Sequence, residues 1–154
     1  MARAAIGIGS NVGDAAAHVR RAFARLDESG TVLARSSLYR TAPWGLAEQA
    51  PFVNAAALVE TELAPHVLLA ALKRIETEEG RVATVRWGPR VLDLDILTYG
   101  DLELAGPDLV IPHAHLRERA FALVPLAEID ARFASLRDAL APGERAGVVE
   151  VEPQ

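Results

Sequence analysis

Asp93 and Asp95 stand two residues apart in a run whose other members, Val91, Leu92, Leu94, Ile96 and Leu97, are apolar and partly β-branched. Such a run reads as a strand, in which side chains alternate, so both carboxylates project from one face. Their Cα atoms are expected roughly 6.7 Å apart. Two carboxylates this close repel one another unless a cation joins them, and they suit a pair of hard divalent ions about 3.5–4 Å apart. A bare Asp-x-Asp is more often the solvent face of an edge strand. Here it directly follows Arg86-Trp87-Gly88-Pro89-Arg90, a turn with two guanidinium groups and an indole. Carboxylates that hold metal beside arginine forks are the components of phosphate chemistry.

Other side chains extend that reading. Fifteen of the 16 basic residues are Arg and only Lys73 is lysine, a bias that fits genome composition but leaves any phosphate clamp to arginine. His113 follows an extended segment, Gly106 to Pro112, and precedes a third helix expected to carry Arg117 and Arg119; it could bond a phosphate oxygen. Phe52 and Asn54 share a strand face, and an aromatic plate beside an amide suits a planar heterocycle. Glu76, Glu78 and Glu79 crowd a helix C-terminus, where the macrodipole disfavours acid, so a cation is expected nearby: Arg81, Arg86 or a bound metal-nucleotide.

The elements that must position these groups are legible from periodicity. Residues 3–9 read as a strand ending in Gly7-Ile8-Gly9-Ser10-Asn11-Val12-Gly13. The third glycine comes one residue too late for a dinucleotide fingerprint, and Asp14 where a P-loop needs Lys excludes that motif. Asp14 instead caps a helix with Val19, Ala22, Phe23 and Leu26 on its apolar stripe. Residues 31–40 read as a second strand, 41–51 as a loop long enough to be functional, and 52–62 as a third strand. Pro65 opens a second helix with Leu68, Leu69, Leu72 and Ile75 inward, its Ala64 unable to cap. The Asp-bearing strand follows, then a Gly100-Asp101 turn into a short strand at 102–104. The last residues, 143–154, are polar and patternless, a flexible tail. The order strand, helix, strand, strand, helix, strand predicts an α+β fold, a ferredoxin-like sandwich with an antiparallel sheet and packed helices.

Composition bounds the rest. A chain of 154 residues, 51% hydrophobic, is expected to form one catalytic domain. It has no cysteine, no secretory pattern and no apolar run of membrane-spanning length, so a cytoplasmic protein without a membrane partner is expected. A net charge of −5 argues against nucleic acid as a partner and leaves small molecules.

Taken together, the motifs resemble the 6-hydroxymethyl-7,8-dihydropterin pyrophosphokinase family of folate biosynthesis. The resemblance spans residues 4–130. It rests on Gly9 to Asp14, Ser37 to Thr41, Phe52 to Ala55, Ile75-Glu76, Gly80 to Val82, the run from Arg86 to Leu97, Ile111 to His113, and Arg119 to Phe121. It implies an ATP-dependent kinase-type transferase that moves diphosphate from its co-substrate ATP to the hydroxymethyl group of the reduced pterin, releasing AMP; a monomer is expected. By the same resemblance Asp93 and Asp95 hold two Mg²⁺ ions, and Arg81 and Arg90 join them as catalytic residues. Glu76, Arg81, Arg86, Trp87, Arg90, Ile96, His113 and Arg119 form the ATP site, with Arg86 and Trp87 on a loop that closes over both substrates. Thr41, Ala42, Trp44, Phe52, Asn54, Trp87, Asp93 and Phe121 form the pterin site, the ring lying between Phe52 and Phe121. The chain departs from the family pattern at Ala83, where a basic residue is common, at Ala42 in place of proline, and at Trp44 in place of a smaller apolar residue. Two other classes compete: a ferredoxin-like regulatory module whose Asp pair holds a structural cation, and a metal-dependent nucleotidyl or glycosyl transferase.

Overall fold

The computed structural model describes residues 1–41, 50–80 and 91–151. Strand β1 (Ala2–Ser10) leads through the cap of Asp14, whose carboxylate accepts the Ala17 N–H at 3.1 Å, into α1 (Ala15–Arg25). Strands β2 (Thr31–Arg35), β3 (Tyr39–Thr41) and β4 (Phe52–Thr61) follow, then α2 (Pro65–Glu78) and β5 (Asp93–Tyr99). Strands β6 (Leu104–Ala105) and β7 (Val110–Ile111) pair with each other in a separate ribbon. The chain ends in α3 (Ala120–Ile129), α4 (Ala134–Asp138), α5 (Pro142–Ala146) and β8 (Val149–Glu150).

The sheet runs β5-β1-β4-β3-β8, with β2 also on β4. The pairings of β1 with β4 and β5, and of β4 with β2 and β3, are antiparallel, which is the ferredoxin-like order. Alternation along β1 explains the layers. Ala4, Ile6 and Ile8 join Val19, Phe23, Leu68, Leu72 and Ile75 of α1 and α2 in one core, whereas Ala5 turns to the opposite face and packs with Leu123 and Leu126 of α3. The sheet is thus covered by two helices on one face and, over part of its length, by α3 on the other. What α3 leaves uncovered is the floor of a hollow.

Several expectations are corrected. The single strand expected over 31–40 is two, because Ser36 turns its side chain into the ladder: its Oγ accepts the Ala56 N–H at 2.8 Å and donates to the Ser37 carbonyl at 2.7 Å. Glu128 of α3 then holds the kink, accepting from Ser37 N at 2.5 Å and from the Tyr39 hydroxyl at 2.6 Å. The short strand begins at Leu104 rather than 102. Arg117 lies in a 3-10 turn, Leu116–Glu118, and Arg119 is the residue before α3 rather than within it. The tail is not patternless: α5 forms, and Val149 and Glu150 pair with Arg40 and Tyr39, so the unpaired edge of β3 is covered. Finally, α1 brings cations to the acidic end of α2, while Arg81 and Arg86, the candidates nearer in sequence, lie outside the described residues. Arg25 reaches Glu78 at 2.5 Å and Glu79 at 3.4 Å, and Arg21 reaches Glu79 at 2.8 Å. Arg25 lies in the last turn of its own helix, where a cation is favoured, so its pairs serve two helix ends. Ala64 makes no side-chain cap, as expected.

Candidate active site

Asp93 and Asp95 are the first and third residues of β5 and share a face, as alternation requires. Directly across on β1 stand Gly9, opposite Asp93, and Gly7, opposite Asp95; beyond them on β4 Gly9 faces Asn54. These glycines are what opens the site. A Cβ at Gly9 would lie 3.0 Å from the Asn54 side-chain oxygen, and one at Gly7 would lie 3.2 Å from Leu97. With no side chain on the middle strand, a cavity of about 370 Å³ lies over it, bounded by the aspartates on one side and by Thr41, Phe52 and Asn54 on the other. Phe121 and Arg119 close it from the start of α3, with the guanidinium 5.8 Å from the Phe121 ring centroid. Asn54 is buried and donates to the Thr41 hydroxyl at 2.7 Å, which fixes the amide's orientation toward the cavity.

A second cavity of about 280 Å³ adjoins the first. Its apolar wall is Leu69, Ile96, Pro107 and Leu109, and it shares Lys73, Asp95 and His113 with its neighbour. Two hollows of different character therefore meet at a carboxylate, an ammonium and an imidazole.

At this junction the two carboxylates repel one another. Burial, and then the charge of Asp93, push Asp95 up to about 7, with Lys73 partly opposing. Burial and the charge of Arg119 hold His113 below its usual range, so it is neutral near pH 7. The His113 N–H of the backbone donates to the Leu97 carbonyl at 2.9 Å, and its side-chain Nδ1 is buried with no partner among the described residues. The donor set fits Mg²⁺. Both carboxylates offer hard oxygens, and a divalent cation would relieve their mutual repulsion. Mg²⁺ is commonly held in this way, by one or two carboxylates with water and phosphate completing the shell.

Of the residues singled out in the sequence, Thr41, Phe52, Asn54, Asp93, Asp95, His113, Arg119 and Phe121 converge on the first cavity, and Ile96 lines the second. Glu76 lies apart from both linings; it is buried and its carboxylate accepts the Leu94 N–H at 2.6 Å. Ala42, Trp44, Arg81, Ala83, Arg86, Trp87 and Arg90, and with them the closing loop, lie outside the described residues. Sequence reasoning missed three contributors. Gly7 and Gly9 were weighed only as phosphate-loop glycines, although their alternation with Ile6 and Ile8 marks one bare strand face. Lys73 was read as composition, although its place three residues before Glu76 puts both on one helix face.

Comparison with known proteins shows the family. The chain matches the 7,8-dihydro-6-hydroxymethylpterin-pyrophosphokinase (HPPK) family over residues 5–131. It is 46% identical to the 2-amino-4-hydroxy-6-hydroxymethyldihydropteridine pyrophosphokinase of Methylorubrum extorquens over 158 residues, which span 99% of this chain and 100% of that one. It is 47% identical to the Pseudomonas aeruginosa protein of the same name over 130 residues, 82% of this chain and 80% of the other. A Plasmodium falciparum HPPK-DHPS crystal structure shares the fold, with a TM-score of 0.69 at 15% identity over 89% of this chain and 45% of that longer one. The ferredoxin-like sheet with its paired aspartates, and a match that runs through nearly every element of it, make this chain a member of the 7,8-dihydro-6-hydroxymethylpterin-pyrophosphokinase family.

Proposed function

We infer that this chain transfers diphosphate from ATP to the hydroxymethyl group of 6-hydroxymethyl-7,8-dihydropterin and releases AMP. The observation that carries the reading is the pair of adjoining cavities with Asp95 and His113 in their common wall. One offers aromatic plates and a buried amide, the surroundings a flat heterocycle needs; the other offers an apolar slot. The reaction needs the pterin hydroxyl oxygen to bond to the β-phosphorus of ATP and lose its proton to solvent, while the bond from that phosphorus to the α–β bridging oxygen breaks, so that AMP departs with the oxygen.

In this reading Asp93 and Asp95 hold two Mg²⁺ ions, which when bound neutralise charge on the phosphates and fix their orientation. Asn54, oriented by Thr41, reads the pterin's hydrogen-bonding edge, and Phe52 and Phe121 hold its faces. His113 offers an imidazole nitrogen to a phosphate oxygen, and Arg119 supplies charge at the same junction. Ile96 and Leu69 pack on the adenine side. Arg81, Arg86, Arg90 and Trp87 are assigned to the nucleotide and to the closing loop, and Ala42, Trp44 and Trp87 to the pterin rim, by resemblance to the family. The chain acts in this reading as a single catalytic domain, as a monomer, in the cytoplasm. No helix among the described residues is long and apolar enough to cross a membrane.

The test is product identity. With Mg²⁺, ATP and the reduced pterin, chromatography is expected to show AMP and pterin diphosphate appearing in equal amounts. ADP as the main nucleotide product would remove the assignment, and no pterin-dependent nucleotide consumption would favour a binding module.

The bare strand face makes its own prediction. In Gly9→Ala the new methyl group presses on the Asn54 amide, and overpacking of this kind costs about 1–3 kcal/mol, so pterin affinity is expected to fall roughly ten- to hundredfold. Nucleotide affinity should hold. Calorimetric titration with each ligand separately checks this, and equal losses for both would mean that the floor of the first cavity is not the pterin's.

A further inference from the structure

Leu94 lies between the two aspartates, and β5 is the outermost strand of its sheet. On such a strand every second residue turns its backbone N–H and C=O away from the sheet, with no neighbouring strand to meet them. At Leu94 two side chains of α2 take that place. The Leu94 N–H donates to Glu76 Oε2 at 2.6 Å, and the Leu94 carbonyl accepts from Lys73 Nζ at 3.3 Å. Lys73 also donates to the same Glu76 oxygen at 3.2 Å, so donor, acceptor and ion pair close a ring around one peptide residue. The two side chains are three apart on the helix and therefore neighbours on its surface.

Burial makes this arrangement consequential. Glu76 is 3% exposed, and a charge placed there needs partners, among which are the Leu94 amide and the Lys73 ammonium. An apolar side chain would fill the same volume but leave the Leu94 N–H without this acceptor. The residue so held is the hinge between Asp93 and Asp95: any twist of its peptide units turns the two carboxylates relative to each other.

We propose that Glu76 and Lys73 are a positioning pair, which grips the backbone of Leu94 and so keeps Asp93 and Asp95 at the mutual orientation that a shared divalent-cation site needs. The proposal rests on the reading of Asp93 and Asp95 as metal ligands given above. Glu76 acts through the strand, and supporting groups of this kind commonly change metal affinity by about ten- to a hundredfold.

The full-length protein provides the test, with Mn²⁺ as probe in the presence of an unreactive ATP analogue. Glu76→Ala is expected to weaken Mn²⁺ binding at least about tenfold, read by electron paramagnetic resonance, while pterin affinity changes by less than about twofold. Amide exchange at Leu94 should accelerate in the same variant. Glu76→Gln keeps an oxygen for the Leu94 N–H and should recover most of the Mn²⁺ affinity; Lys73→Met should lose a smaller part of it. Unchanged Mn²⁺ affinity in folded Glu76→Ala would overturn the proposal, and so would a parallel loss of pterin affinity, which is the mark of general loosening. Should Glu76→Ala fail to fold, Lys73→Met and Glu76→Gln decide: equal Mn²⁺ affinity and equal Leu94 exchange in both and in the parent protein overturn it. None of these readouts needs turnover, so a parent protein that makes no AMP yet shows the Mn²⁺ and exchange pattern would remove the enzymatic reading and leave the clamp standing.

Discussion

Asp95→Asn is expected to lower AMP formation on the order of a thousandfold and, in the metal-free protein, to raise stability at pH 8. Both effects come from one charge. A carboxylate that holds the metal contributes several kcal/mol of charge stabilisation when phosphate is transferred, and an amide cannot replace it. Without metal, the same carboxylate is a liability, since burial and Asp93 push its titration from the ordinary 3.8 up to about 7. A folded-state value above the unfolded one means that this group's contribution to stability is full below about pH 4 and is lost as pH rises through 7. Raising the carboxyl this far would correspond to about 4 kcal/mol if it were wholly shielded, and because Asp95 keeps part of its surface open to the cavity, about 1–2 kcal/mol is expected. Thermal unfolding without metal at pH 5 and pH 8 reads this directly. The variant should gain on the parent protein as pH rises, and Mg²⁺ should raise the parent's melting temperature but not the variant's. Parallel pH profiles would show that Asp95 is not held out of its ordinary range, and near-normal turnover at saturating Mg²⁺ would end its assignment as a ligand.

Asn54→Ala and Phe121→Ala are expected to weaken reduced-pterin binding about ten- to hundredfold and to leave nucleotide binding nearly unchanged. The Asn54 amide is buried, and its bond to the Thr41 hydroxyl leaves its remaining donor and acceptor capacity to the cavity. Removing it strands any ligand polar atom placed there, which costs about 1–3 kcal/mol. Phe121 contributes a face, and loss of stacking accounts for about 0.5–1.5 kcal/mol beyond the buried area. Calorimetry with pterin and with an unreactive ATP analogue separates the two sites; losses shared equally between the ligands would mean that the cavities are assigned the wrong way round.

Much of this site is local in the sequence, and that part was legible. The same-face geometry of Asp93 and Asp95 follows from strand alternation alone, as does that of Phe52 and Asn54. The element order led to the ferredoxin-like sheet. What was not legible depends on contacts between distant segments. Nothing near Gly7 and Gly9 tells that their partners across the sheet are the two aspartates and Asn54, because register between strands far apart in the chain is set by the whole core. The cations that α1 brings to Glu78 and Glu79 come from more than 50 residues earlier, a distance across which sequence proximity gives no signal. The short strand β8 carries too little apolar pattern to be seen without the edge of β3 beside it. The bond from the backbone of the aspartate-bearing strand to Glu76 joins segments 18 residues apart, and nothing in the local pattern of α2 announces it.

The most direct test of the central claim follows one oxygen atom. Pterin labelled with ¹⁸O in its hydroxymethyl group, incubated with Mg²⁺, ATP and the protein, is read by ³¹P nuclear magnetic resonance. Attack of that hydroxyl on the β-phosphorus keeps the label in the bridge to the new diphosphate, so the isotope-shifted signal should belong to the phosphorus bonded to the pterin, with AMP released unlabelled in equal amount. A pterin monophosphate formed with ADP, or label found in AMP or in free phosphate, would contradict diphosphate transfer between the two adjoining cavities.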